Sequence, residues 1–183
     1  MVKVGHPRIG PYPVRVTTPD RDPIREARGQ WVRHGWSDAA DGMAMVTSLV
    51  RAQQLLMERI DAVLRPLDLS FARYEILMLL RFSSAGAMPM ARMGSLLQVH
   101  PTSVTSAVVR LEGQGFVQRA RPDSDRRVVL ASITEAGHEV AERATLGLNS
   151  SVFESPGLTT RRVRELTRLL GDVRGALGDT VAD

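Results

Sequence analysis

The residues best spaced for chemistry lie between positions 99 and 127. The run "VHPTSVTSAVVRLEGQG", residues 99–115, gathers Thr102, Ser103, Thr105 and Ser106 ahead of Arg110, and the stretch after it adds Arg119, Arg121, Arg126 and Arg127. Hydroxyls on short side chains can bond phosphates and base edges, and a guanidinium meets phosphate with a planar fork of donors. A helix entering the major groove must bring its backbone close to the bases, so leading turns with little side chain suit a docking surface. The amide end of such a helix also favours a nearby phosphate. Ordinary capping by Thr102 or Ser103 would account for one hydroxyl and leave the others without a reason.

Catalysis finds no comparable footing. His6, His34, His100 and His138 share no metal-ligand spacing, no glycine-rich loop follows a strand, and no serine sits in a nucleophile elbow. The absence of cysteine excludes disulfides, thiolate zinc sites and thiol redox sensing. The expectation is a binding protein, not an enzyme, with no cofactor.

For the hydroxyl face to meet a duplex, the apolar residues of the same helix must lie opposite it. At about 100° per residue they do. Val104, Ala107, Val108 and Leu111 fall on one side, Thr102, Ser106, Val109 and Arg110 on the other, with Ser103 and Thr105 at the flanks. Upstream, residues 71–82 read as a helix, 83–87 as a small-residue turn and 90–97 as a second helix, with Gln98 to His100 as a short connection. Downstream of Gly115, residues 116–121 and 127–133 are β-rich runs joined by a turn of proline, aspartate and serine at 122–126. Helix, tight turn, helix and then a basic hairpin is the order of a winged helix-turn-helix.

Longer elements flank this lobe. Asp22 before Pro23 predicts a capped short helix through Trp36, and Ser37 caps a long helix from Asp38 to Leu64. On the long helix Val46, Leu49, Val50, Gln53, Leu56, Met57, Ile60, Val63 and Leu64 recur every three or four residues. A second stripe, Val163, Leu166, Leu169, Leu170, Val173 and Leu177, marks a terminal helix. Two long amphipathic helices at opposite ends of a small chain suggest a shared dimer interface, the alternative being that both stripes cover the chain's own core.

The 183 residues suffice for one domain with decoration. Residues 1–22, rich in proline and carrying Lys3, Arg8, Arg15 and Arg21, read as an extended arm that is either solvated or available to a partner. Basic residues exceed acidic ones by four, and Lys3 is the only lysine. No apolar run reaches the length of a membrane span and the N-terminus lacks a secretion signal, so a cytoplasmic protein with no membrane partner is expected.

The run "LLQVHPTSVTSAVVRLEGQGFVQRARPDSDRRVVLASITEAG" resembles the multiple antibiotic resistance regulator (MarR) family. It carries that family's recognition-helix ending, Arg110, Leu111, Glu112 and Gly115, and its wing pattern of Asp125, a basic residue, Arg127, and then Ile133, Thr134 and Gly137. With the flanking helices the likeness covers about residues 38 to 180. It implies a homodimer with intertwined terminal helices, mostly a repressor released from DNA by a small ligand or oxidant. It implies too that Arg127 reaches the minor groove from the wing while Asp125 orients it through a paired hydrogen bond. One departure is Gln98, where helix-turn-helix turns often use glycine; a positive φ there would cost on the order of 1 kcal/mol.

The resemblance also implies an effector crevice between the dimerisation helices and the DNA-reading lobe. The helix from Pro23 to Trp36 is similar to one in the urate-responsive branch, and by that likeness Trp31 supplies a stacking face, Glu75 a carboxylate and Arg119 a cation. That branch's recognition-helix arginine is matched here by Ala107, so the implied effector is the broader class of small organic anions or aromatic acids. In the plainer alternative Trp31 pins its helix and Glu75 and Arg119 are surface or ion-pair residues.

The resulting expectation is a mainly α, winged helix-turn-helix protein with a small β-hairpin wing and long terminal dimerisation helices. Residues 1–22 form the arm and 23–180 the domain, with 23–66 and 135–180 mainly for dimerisation and 70–134 for reading DNA. Its function would be sequence-specific transcriptional regulation, most often ligand-responsive repression, by a homodimer on double-stranded DNA. The DNA-contacting residues would be Thr102, Ser103, Thr105, Ser106, Arg110, Asp125, Arg126 and Arg127, and the ligand-contacting ones Trp31, Glu75 and Arg119. The rival is a winged-helix dimer that acts as an architectural or protein-interaction module without reading sequence.

Overall fold

A computed structural model describes residues 21–121 and 127–180. The chain forms two compact units that divide within its longest helix, between Gln53 and Gln54.

In the first unit, α1 (Pro23–Arg33) starts as its residue types require: the Asp22 side chain accepts the Ile24 N–H at 3.0 Å, and Pro23 occupies the first turn, where a missing N–H costs nothing. The expected helix to Trp36 stops three residues sooner. Gly35 takes φ 84°, and bonds from Gly35 N to Val32 O and from Trp36 N to Trp31 O close the helix with a left-handed turn. Trp36 then meets Trp31 edge-on with centroids 5.4 Å apart, and Arg28 pairs with Asp41 at 2.6 Å. Helix α2 (Ser37–Leu64) follows, and Met45, Val46, Leu49 and Val50 on its first half are exposed.

In the second unit, the end of α2 enters the core through Ile60 and Leu64. A 3-10 turn (Arg65–Leu67) leads to α3 (Phe71–Phe82), capped by the Ser70 hydroxyl. Then come β1 (Ala87–Pro89), α4 (Met90–Leu97), α5 (Pro101–Gly113), β2 (Val117–Ala120), β3 (Leu130–Ile133), α6 (Glu135–Leu148), a π-helical turn (Asn149–Phe153) and α7 (Thr160–Ala176). The expected hairpin is present with shorter strands, and the expected turn at 83–87 runs into a third strand. β1 pairs antiparallel with β3 in the order β1-β3-β2, placing Met88 opposite Ala131.

Leu64, Ile76, Leu77, Leu80, Met93, Val104, Val108, Leu111, Val117, Val140 and Leu148 are buried together, so α6 shares one core with the three helices before the wing. Burying each such side chain is worth about 1.5–3 kcal/mol. Gly137 has a specific reason to be glycine, because a Cβ there would lie 2.2 Å from the Phe116 carbonyl oxygen. At the joint after α6 the Arg59 guanidinium donates to the carbonyls of Ser151 and Ser155. Helix α7 keeps much of its apolar stripe in the open, with Leu166 and Leu169 45% and 46% exposed. No described helix is long and apolar enough to cross a membrane.

Candidate nucleic-acid interface

The helix that carries the hydroxyls is α5, and its orientation is set by burial. Val104, Val108 and Leu111 are essentially inaccessible, Ala107 is half-buried, and Thr102, Ser103, Thr105, Ser106, Val109 and Arg110 are all exposed. The helical wheel therefore has its expected rotation. Capping differs. His100, extended before Pro101 at φ −60° and ψ 140°, accepts the Thr102 N–H on Nδ1 at 3.2 Å, so neither Thr102 nor Ser103 spends its hydroxyl as the cap. Thr105 Oγ1 donates back to the Pro101 carbonyl at 3.0 Å, which leaves its lone pairs for a partner.

The turn between α4 and α5 places Gln98 at φ 54° and ψ 38°, the left-handed conformation that its sequence position suggested. Val99 N–H closes the turn on the Gly94 carbonyl at 3.2 Å. At the far end of α5, Gln114 is held twice: Arg73 Nη1 donates to its Oε1 at 2.9 Å, and its Nε2 donates to the Asp68 carbonyl at 2.8 Å and carboxylate at 2.9 Å.

The wing is joined to this helix by an ion pair. Arg119 on β2 donates to Glu112 through Nε at 2.8 Å and Nη2 at 2.5 Å, and its backbone N–H reaches the other carboxylate oxygen at 3.3 Å. That side-chain hydrogen bond is the main reason the Glu112 carboxyl lies below its ordinary range; burial opposes the shift and the guanidinium charge assists it. The Arg119 guanidinium is raised by the same bond. Between the two residues Gly115 takes φ 77°, and the Thr134 hydroxyl donates to its carbonyl at 2.7 Å. Arg121 and Arg127 are exposed at the two ends of the wing loop, whereas Asp125 and Arg126 lie outside the described residues.

The three residues expected to receive an effector occupy different settings. Arg119 is taken up by Glu112 and also borders a shallow recess with Met90, Pro101, Thr105 and Val129. Glu75 is half-buried on α3, and burial pushes its carboxyl above the ordinary range. Trp31 is half-buried and packs on Trp36. The contacts that sequence reasoning passed over are the His100 cap, the Glu112 clamp and the Gln114 tether. Only the first left a local signal, since a residue before proline at a helix start is held extended, as a cap must be.

A bare-faced helix behind a left-handed turn, with a basic hairpin clamped to its end, defines a winged helix-turn-helix DNA-binding protein. The MarR family profile matches residues 69–129. Among solved structures, the MarR family transcriptional regulator Sco5413 of Streptomyces coelicolor is 42% identical, with a TM-score of 0.68 over 76% of this chain and 99% of its own. Sco3205 of the same organism, a MarR family regulator solved in complex with DNA, is 26% identical, with a TM-score of 0.68 over 79% of this chain and 92% of its own. A helix-turn-helix transcriptional regulator of Mycobacterium bovis, itself uncharacterised, is 31% identical over 97 residues, 53% of this chain and 68% of that protein. The chain belongs to the MarR family. It is a transcriptional regulator and not an enzyme.

Proposed function

We propose that this regulator is a cytoplasmic homodimer that binds a near-palindromic operator and represses transcription until a small organic anion or aromatic acid releases it. The observation that carries the reading is the division of α5, with Val104, Val108 and Leu111 fully buried and Thr102, Ser103, Thr105, Ser106 and Arg110 exposed on the opposite face. In the complex these exposed residues enter the major groove, and Arg127, oriented by Asp125 and accompanied by Arg126, meets the adjacent minor groove. Residues 70–134 read DNA, while 23–66 and 135–180 serve mainly for dimerisation. The uncovered apolar stripes on α2 and α7 support the second copy, since apolar faces of that length are normally buried against something. An incoming carboxylate competes with Glu112 for the Arg119 guanidinium, and Glu75 and Trp31, each within its own unit, are the further effector contacts that substitution tests.

The test is selection of duplexes from a random-sequence pool, followed by footprinting at fixed salt. Two-fold symmetry sets half-site centres ~10 bp, or ~34 Å, apart. A single asymmetric half-site would refute the dimeric reading, and equal affinity for selected and random duplexes would leave an architectural module instead. A panel of small carboxylates and phenolic acids then tests the effector. Release of DNA that persists in both Arg119→Ala and Trp31→Ala proteins places the effector elsewhere.

A further inference from the structure

Two described non-glycine residues, Asp68 and Gln98, hold positive φ, at 51° and 54°. They flank the helix assigned to the major groove, one tethering its C-terminal end through Gln114 and the other forming the turn before its N-terminal end. Gln98 is the costlier of the two, because a left-handed glutamine lacks the local hydrogen bonding that eases asparagine and aspartate into that region.

What engages Gln98 comes from the other end of the second unit. Its Nε2 donates to Asp179 Oδ1 at 2.5 Å, across 81 positions of sequence. Asp179 is itself fixed. Helix α7 ends with Gly178 at φ 88°, with Gly178 N–H on the Gly175 carbonyl and Asp179 N–H on the Arg174 carbonyl, each at 3.0 Å. That pair of bonds is a Schellman closure, and it turns the chain so that Asp179 faces back along the helix. Arg174 Nε then donates to the second carboxylate oxygen at 2.6 Å, which leaves Oδ1 for the glutamine. The two bonds together hold the Asp179 carboxyl below its ordinary range, the Arg174 bond contributing most.

We propose that Asp179 is a positioning residue for DNA binding: it fixes the left-handed turn at Gln98 and so sets the angle at which α5 presents Thr102 to Arg110. The inference rests on the assignment of that face to the major groove. Only Val99 and His100 separate Gln98 from Pro101, the first residue of α5, so a rotation at the turn reaches the helix almost undiminished. It also accounts for glutamine where glycine would be free of strain, because glycine would give up the side-chain bond to the C-terminal helix. The terminal helix and the reading helix are thereby coupled within one chain.

Charge and geometry make opposite demands on the test. Removing a carboxylate near a phosphate backbone raises affinity for every duplex if bulk electrostatics governs. If Asp179 positions the turn, Asp179→Ala weakens binding to a duplex selected by the wild-type protein by about three- to tenfold at fixed salt, the net scale of one ordinary hydrogen bond, and lowers its preference over random duplex. Asp179→Asn, which keeps an oxygen for Gln98, retains most of that preference. In a Gln98→Gly background, Asp179→Ala has no further effect on preference. Melting temperatures of all variants establish that they fold. Equal effects of Asp179→Ala in both backgrounds, or an unchanged or increased preference in the single variant, overturn the proposal. Ser106→Trp is measured alongside: if it still binds the selected duplex, the groove-facing assignment falls and this inference with it. If it loses binding while Asp179→Ala does not, the positioning role alone is refuted.

Discussion

Gly137→Ala isolates the joint between the reading helix and the wing. The added Cβ would sit 2.2 Å from the Phe116 carbonyl oxygen and 2.8 Å from Ile133 Cγ1. Even a close C–H···O contact keeps about 3.3–3.6 Å, so the overlap exceeds 1 Å by rough count. The carbonyl cannot swing aside freely, because it accepts the Thr134 N–H at 3.0 Å. Overpacking of this kind costs about 1–3 kcal/mol and a lost hydrogen bond about 1 more, while alanine in a helix returns about 0.5–1. The net expectation is about 1–3 kcal/mol of destabilisation, or a fall of roughly 3–10 °C in Tm for a chain of this size. Thermal and urea melts at matched protein concentration measure it, with Gly113→Ala as the control because nothing lies within 4 Å of its Cβ. A Gly137→Ala protein that melts at or above the wild-type temperature would refute the steric argument.

Three further outcomes are expected. Arg127→Ala should weaken binding to the selected duplex and flatten the salt slope by about one, as withdrawing one cation from between the phosphate walls of the minor groove requires; an unchanged slope in a filter-binding titration means that Arg127 does not enter the groove. The Arg119 bond lowers the Glu112 carboxyl, so its stabilisation is complete above the range where unfolded glutamates titrate and disappears as pH falls through the lower folded value. Wild type should therefore lose stability more steeply than Glu112→Gln below about pH 4, and parallel acid melts would show the pair to be idle. Leu166→Glu, at a site 45% exposed in the single chain, should shift sedimentation toward the monomer, and an unchanged dimer would remove α7 from the interface.

The parts of the fold that a periodic pattern dictates were legible in the amino-acid order. Helices 71–82 and 90–97 coincide with α3 and α4, and the rotation of α5 follows from the spacing of Val104, Val108 and Leu111 alone. Strand β1 was not legible, because Ala87, Met88 and Pro89 are too few to alternate and their partners Ser132, Ala131 and Leu130 come more than forty residues later. The end of α1 was overrun because Trp36 continues the apolar spacing, and only the conformation of Gly35 stops it. His100 escaped notice as a cap because imidazole accepts a backbone N–H only through an unprotonated nitrogen, unlike the oxygens of the usual capping residues. Glu112 meets Arg119 across the left-handed turn at Gly115, and Asp179 meets Gln98 across most of the second unit. Neither separation leaves a local trace.

The two-sided character of α5 also bears on how such regulators diverge. Truncating Val104, Val108 or Leu111 would cost roughly 1–5 kcal/mol and threaten the fold, whereas exchanges at exposed positions usually fall within about 0.5 kcal/mol. Residues 102, 103, 105, 106, 109 and 110 are all of the second kind. After gene duplication, one copy can therefore sample new side chains over that whole face without passing through an unstable ancestor. Selection on target choice and selection on folding act on separate letters of the same helix.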